Sequence, residues 1–504
     1  MVNSVTTANT PPVKTTKTSI FYINDIHGQT VNMEKLTKAS KEFDEFVPSE
    51  KIDKLKFSSG DILIGDDKKV NKAANIFLNA NDFMATAGGN HEFDTSKKDL
   101  VNILKNNNYK ILGLNVKIPD DTPENKELNK EITTSYIQEQ NGTKYGIVGL
   151  FPFDFIHHVT HPEWYKDFKT LSIEETIPLL QEKINEFNEQ GVNKVIVLSH
   201  AGYNSDVKLA NSVEGIDVIL GGHSHNLIKD IQEGKNLFYS KKTGEPTIIT
   251  QAGHDGNHFG VLNLEFNESG VITKAQNNVS ETNTFSKFIP LKYVFDKLFG
   301  NPGTITHINS VEPQPSNILI AENPNANFIA DAIKNELDTD IGIINSANFR
   351  GKFEAGDVSL RDISSTSPFK NKMTITEVTE QELVNALKRG AESLTIPNSK
   401  PGILQVSGLK YTISKKGEVK NIKFIDKQGK EIPIDVNNPN PFKIYKVAMD
   451  SFVTSGGNNY FPNKYDNPEI IKFDFDKDKL TADYLKKLSQ PIDIKTDGRI
   501  QIVD

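Results

Sequence analysis

Gly88-Gly89-Asn90-His91-Glu92-Phe93-Asp94 stands directly after the apolar run 83–87. A short apolar run bounded by glycines reads as a buried strand, and the glycines let the backbone turn tightly where it ends. The same succession occurs elsewhere. Asn24-Asp25-Ile26-His27-Gly28 follows the run 20–23, and Ser59-Gly60-Asp61 follows 55–58. His200-Ala201-Gly202 follows 195–199, and Gly221-Gly222-His223-Ser224-His225 follows 218–220. Further apolar runs lie at 111–114, 145–150, 247–250 and 261–266, with helical spacing between several of them, above all at 173–189. Strands alternating with helices predict an α/β fold around a largely buried sheet.

In such sheets the C-terminal strand ends form the ligand crevice. The five polar clusters are therefore expected to converge on one edge of one sheet. A lone histidine there is most often a satisfied core or surface residue, but that reading would have to hold five times over. Asp25 and His27, two residues apart at a strand end, are expected to point to the same side. The pooled donors are Asp25, His27, Asp61, Asn90, His200, His223 and His225. They are too many for one tetrahedral ion and suit two divalent ions of mixed nitrogen and oxygen preference, such as Mn, Zn, Fe or Co. Ions ~3.5–4 Å apart need a shared carboxylate, and Asp61 is its natural source.

Composition narrows the remaining choices. A chain of 504 residues exceeds the ~250–300 at which single cores stop growing, so more than one domain is expected. The net charge of −8, with both signs interspersed, argues against a nucleic-acid polymer or an anionic membrane as partner. It does not argue against a phosphate ester, because two divalent ions would dominate the local field. The absence of cysteine excludes disulfides, thiolate chemistry, iron–sulfur clusters and Cys-type zinc sites. No apolar run approaches the ~20 residues of a membrane span. Residues 1–18, rich in Thr and Lys, lack the apolar core of a signal peptide and read as a flexible leader.

The second half changes pattern. A helix is predicted over 286–299, then a connection at 301–316, then a new domain from about 317. That domain is expected to hold a helix over 326–337 and another from Thr379, where Thr379 and Glu382 form a capping box. A hairpin-like region over 404–425 turns at Lys416-Gly417. The expected division is a leader at 1–18, a first domain at 19–285, a linker helix and connection at 286–316, and a second domain at 317–504.

Asp25-x-His27, Gly60-Asp61, Gly89-Asn90-His91-Glu92, His200 and Gly222-His223-x-His225 stand in the order of the calcineurin-like dinuclear metallophosphatases. With Ser367-Pro368-Phe369 and Ser455-Gly456-Gly457 added, residues 19–462 resemble the bacterial 5′-nucleotidase, UDP-sugar hydrolase and 2′,3′-cyclic phosphodiesterase family. The resemblance implies an N-terminal metallophosphatase β-sandwich flanked by helices, plus a smaller α/β C-terminal substrate-binding domain. It implies that Asp25, His27, Asp61 and His225 hold one divalent ion, and that Asp61, Asn90, His200 and His223 hold the other. By the same resemblance His91 is the catalytic imidazole paired with Asp94, and a metal-activated hydroxide attacks phosphorus.

In the second domain, Asn345-Ser346-Ala347-Asn348-Phe349-Arg350 resembles the family's Asn-x-Gly-Gly-x-Arg loop. Arg350 is the first of only four arginines (350, 361, 389 and 499), and a planar guanidinium grips phosphate or sugar oxygens better than an ammonium. Phe369 and Phe452 align with the aromatic pair that sandwiches the base, and Asn458 with an acidic residue that holds ribose hydroxyls. The implied activity is release of phosphate from nucleotides. The alternatives are a 2′,3′-cyclic phosphodiesterase, a UDP-sugar or dinucleotide pyrophosphatase with the same site, and a non-catalytic nucleotide-binding surface protein. Ala347-Asn348 and Asn458 depart from the family pattern and leave the preferred ester open. Family habit favours a secreted or cell-envelope location, with the cytoplasm as alternative.

Overall fold

The computed structural model describes residues 15–46, 51–105, 107–282, 290–299, 303–369, 371–395, 401–462 and 475–504. The predicted leader therefore lies almost wholly outside the described residues, as do 286–289 of the helix expected to follow the first domain. The chain divides into two compact units, the first ending at Phe295 and the second beginning at Asp296.

The first unit is built on a seven-stranded and a six-stranded sheet. In the larger, Thr16–Ile23 lies between His258–Phe266, antiparallel, and Asp53–Ser58, parallel; Ala85–Ala87 comes next. In the smaller, Thr143–Leu150, Val195–Ser199, Val218–Gly221 and Pro246–Thr250 run parallel. Strand side chains alternate between faces, and both faces here are apolar. Ile196, Leu198 and Leu220 meet Ile20, Tyr22, Leu55 and Phe57 of the other sheet, forming the sandwich core. Val195, Val197 and Ile219 point the opposite way, onto Leu180, Ile184 and Phe187 of the helix Ile173–Glu189. That helix starts at a capping box, Ser172 with Glu175, which satisfies two otherwise orphaned N–H groups.

The expectation of one sheet edge needs correction. The clusters after residues 23, 58 and 87 belong to the seven-stranded sheet, whereas those after 199 and 221 belong to the six-stranded one. Apolar runs reveal strands but not their partners. The donors converge because the two sheets are stacked with these strand ends at the same end of the sandwich.

The second unit holds two four-stranded sheets. Ile341–Asn345 pairs with Leu404–Ser407 and Ile444–Asp450, and the helices Pro324–Glu336 and Glu380–Ala391 belong to its two cores. The capping box at Thr379 and Glu382 is present. Leu409–Ser414 and Val419–Ile425 form the expected hairpin, closed by the Gly417 N–H donating to the Ser414 carbonyl. Within the stretch read as a connection, Thr304–Ile308 is a strand paired with Gly356–Ser359, and Ser310–Val311 pairs with Asp493–Ile494. No helix among the described residues is long and apolar enough to cross a membrane.

Candidate metal centre

Asp25 and His27 do not sit on a strand. Thr16–Ile23 ends before them, and both occupy the left-handed region with φ of 52° and 49°. What aligns them is a continued pairing of two loops. The N–H groups of Asp25, His27 and Gly28 donate to the carbonyls of Gly60, Asp61 and Ile62. Asp61, His223 and His225 are also left-handed, with φ of 52°, 71° and 58°. A non-glycine residue in this region costs about 1–2 kcal/mol, and such strain gathers where a site demands it. The predicted common orientation of Asp25 and His27 is thus reached by loop geometry rather than by strand periodicity.

Close approach of the loops depends on glycine. A Cβ on Gly89 would lie 2.2 Å from Asp61 Oδ1, and one on Gly222 would lie 2.6 Å from the Ser59 carbonyl oxygen.

The donors fall into two groups. Asp25, His27 and His225 bring ligand atoms within 4.8 Å of one another, and so do Asp61, His200 and His223. His27 Nε2 lies 3.5 Å and His200 Nε2 lies 3.0 Å from the same oxygen, Asp61 Oδ2. His225 Nε2 is 3.3 Å from Asp25 Oδ1. Asn90 Oδ1 is 3.0 Å from His223 Nδ1. Ligands at ~2.1 Å from an ion, subtending tetrahedral or octahedral angles, lie about 3.0–3.4 Å apart, so these separations match edges of a coordination polyhedron. Two further triads reuse His27, Asp61 and His223 and bring in others: His27 with Asp61 and His91, and Asp154 with His158 and His223.

One buried atom tests the fit. His200 is fully buried, and its Nδ1 bonds the Ser59 carbonyl at 2.6 Å. Among the described residues its Nε2 has no hydrogen-bond partner, although Asp61 Oδ2 is 3.0 Å away. A cation between the two atoms needs no hydrogen-bond alignment, so this orphan suits a metal.

Electrostatics agree. Burial opposes charge on His27, yet Asp255 and Asp61 hold it up at about 9; burial likewise opposes His200, which Asp61 and Asp25 raise to about 10. Asp25, despite burial, is lowered to about 2 by His225 and His200, and Asp61 is lowered well below the usual range by His200 and His91. Burial and the adjacent His200 push His223 down to about 3. Protein groups alone therefore balance ionised carboxylates with protons on His27 and His200. A divalent cation would take over that balance and release those protons as it bound.

His91 Nδ1 bonds Asp94 Oδ2 at 2.6 Å, the pairing expected from sequence. Asp94 is fully buried, and burial alone would raise its carboxyl; His91, Thr160 and the Gly65 N–H together hold it below its ordinary value. Its other oxygen accepts from both the N–H and the hydroxyl of Thr160, at 2.9 and 2.6 Å.

Three supporting residues escaped the sequence reading. Glu92 accepts the N–H groups of Asp61, Ile62, Leu63 and Gly89 at 2.7–3.3 Å, clamping the loop of Asp61 to the turn that presents Asn90 and His91. Asp255 accepts from His27 Nδ1 at 2.9 Å. Thr160 carried no signal, since its loop has no periodicity. Asp255 did carry one: Gly253-His254-Asp255-Gly256 closely follows an apolar strand, like every other cluster.

In the second unit the candidate substrate residues are less tightly bound. Asn345 ends the strand Ile341–Asn345; its Oδ1 accepts the Ala347 N–H, while its buried Nδ2 has no hydrogen-bond partner among the described residues. Arg350 donates to the carbonyls of Ala347 and Phe349, and its guanidinium lies 5.5 Å from the centre of the half-buried Phe369 ring. Phe452 packs on the core of this unit beside Gly457. Asn458 is left-handed at φ 55°, and its carbonyl accepts from Arg389 Nε at 3.2 Å. The structure thus joins Arg350 to Phe369, but no ring pair links Phe369 to Phe452 among the described residues.

A stacked two-sheet α/β unit that gathers Asp, Asn and His donors at one end is the layout of a metal-dependent phosphoesterase. Residues 18–227 match the family described as calcineurin-like phosphoesterase, and residues 303–463 match the 5′-nucleotidase C-terminal domain. The chain belongs to the family that joins these two domains, the 5′-nucleotidases, and is a metal-dependent phosphoesterase of that type. It is 26% identical to the trifunctional nucleotide phosphoesterase YfkN of Bacillus subtilis over 96% of its own length, but spans only 35% of that larger protein. It is also 26% identical to an apyrase of Tabanus yao, covering 85% of this chain and 80% of the apyrase. The fold matches the 5′-nucleotidase precursor of Thermus thermophilus with a TM-score of 0.71 at 20% identity, covering 97% of this chain and 99% of that one.

Proposed function

We propose that the centre takes two divalent ions bridged by Asp61, and that the chain releases phosphate from nucleotides there. The observation carrying this reading is the single oxygen, Asp61 Oδ2, that faces both His27 Nε2 and His200 Nε2. Asp25, His27 and His225 would complete one ion's ligands; Asn90, His200 and His223 would complete the other's. When bound, such ions stabilise phosphoryl oxygens as Lewis acids and lower the pKa of a water nucleophile. His91 is held through Nδ1 by Asp94, which leaves Nε2 to carry a proton towards a phosphoryl or leaving oxygen. Asp94 keeps that ring oriented, itself fixed by Thr160 and Gly65.

In the second unit, Asn345, Arg350, Phe369, Phe452 and Asn458 are proposed as nucleotide contacts. Arg350 would pair with phosphate or sugar oxygens, the two rings with the base, and the amides with hydroxyls. The Asn345 Nδ2, without a hydrogen-bond partner among the described residues, supports a ligand acceptor at that strand end. Secretion or attachment at the cell envelope fits this reading, and cell fractionation tests it.

The deciding experiment is phosphate release from AMP, a 2′,3′-cyclic nucleotide, ATP and UDP-glucose, with Mn²⁺ and then with chelator. Chelator-sensitive release from at least one is expected, and the ranking assigns the branch. No release from any of them, with two ions shown to be bound, would reject the nucleotidase reading.

A further inference from the structure

The segment after Pro246–Thr250 meets the metal centre through His254 and Asp255, while Gln251 ahead of them holds the Gly222 carbonyl and the Asn226 N–H. Asp255 is buried and left-handed, with φ 57°. Its Oδ1 meets His27 Nδ1 at 2.9 Å, and its Oδ2 meets His254 Nδ1 at 2.7 Å. The His254 ring stacks on His225, with centroids 4.7 Å apart and planes 25° from parallel. The Asp255 N–H donates to the Asp25 carbonyl at 2.5 Å. Asn24 completes the latch, accepting from the Ala252 N–H and donating to the Gly253 carbonyl and to Asp25 Oδ2.

One short segment thus holds Asp25, His27 and His225. Asn90 and His200 are braced elsewhere, by the His158 and Ser59 carbonyls, while the His223 N–H rests on the Asp25 carboxylate. Among the described residues, no hydrogen bond or ring contact joins His254 or Asp255 to Asn90, His200 or His223.

We infer that Asp255, with His254, is a positioning device dedicated to one of the two ions, setting its affinity independently of the other. The inference rests on the two-ion reading above. Its physical basis is that a carboxylate behind a ligating imidazole fixes the ring's tautomer and raises its basicity. A second imidazole held by that carboxylate and stacked on His225 extends the effect to the next ligand.

The test is Mn²⁺ titration of the chelator-stripped full chain by calorimetry. Wild type is expected to show two binding events. Asp255→Ala should weaken one event by about 10–100-fold and leave the other unchanged. Asn90→Ala should weaken the opposite event, which identifies the two. Asp255→Asn keeps the shape and should weaken the same event as Asp255→Ala by a smaller factor, with thermal unfolding of the metal-free chain unaltered. The inference is overturned if either Asp255 variant shifts both events alike, shifts neither, or weakens the event lost in Asn90→Ala. If wild type itself binds fewer than two ions, the two-ion reading fails first, and the outcomes are distinct.

Discussion

The metal end of the first unit and the candidate nucleotide loops of the second are built in opposite ways. In the first, donors are mostly buried and the catalytic pair is fully engaged: Asp94 alone accepts from His91, Gly65 and twice from Thr160. In the second, Asn345 Nδ2 and Arg350 Nε are buried without hydrogen-bond partners among the described residues, and Phe369 is only half-buried. A fixed constellation suits chemistry, where misplacement by an ångström is costly. Uncommitted donors beside a partly open ring suit recognition of ligands that differ in shape.

That contrast can be broken by mutation. His91→Ala should lower kcat by about 10²–10⁴-fold while metal stoichiometry and KM stay near wild type; a change confined to KM would move His91 to the recognition side. The next effect concerns stability in the second unit. Burial raises the Asp450 carboxyl to about 6, although the Val453 N–H and Asn348 oppose the shift. A folded pKa above the unfolded one means the native state binds more protons between about pH 4 and 6, so this group's stabilisation is lost as pH rises through that window. Asp450→Asn should remove that slope, worth no more than about 3 kcal/mol. Denaturant midpoints at three pH values check it, and parallel curves would refute it.

Phe369→Ala should cost about 1–3 kcal/mol of nucleotide binding. It should appear in KM with kcat nearly unchanged, and a pure kcat loss would contradict a recognition role. The smallest effect is Thr160→Val, which removes one of two bonds to Asp94 Oδ1 and keeps the other. About 0.5–1.5 kcal/mol should be lost from kcat, and steady-state kinetics would show whether Asp94 needs both.

The donor set was legible because each ligand type follows an apolar run and is flanked by glycine, a local pattern a sequence displays. The convergence was legible only in part. Runs at 55–58 and 195–199 look alike, yet one enters the seven-stranded sheet and the other the six-stranded sheet, a choice made by long-range packing. The conformations of Asp25 and His27 were not legible, since left-handed backbone there is enforced by hydrogen bonds to Gly60 and Asp61, residues far along the chain. Asp255 shows the limit differently. Its signature was present in Gly253-His254-Asp255-Gly256, but a residue that acts by bracing His27 declares itself only when the strand ends meet.

Glu92 carries a consequence for how this chain can change over time. Its carboxylate engages the main chain of Asp61, Ile62, Leu63 and Gly89, not their side chains. Residues 62 and 63 can therefore exchange one apolar side chain for another without loosening the grip, whereas Glu92 has no substitute of equal reach and charge. An insertion anywhere in 61–63 would break the register of the grip, while one between Gly65 and Asn71 would instead part Asn71 from the Ile64 N–H and the Gly65 carbonyl. The loop is free in identity and fixed in length.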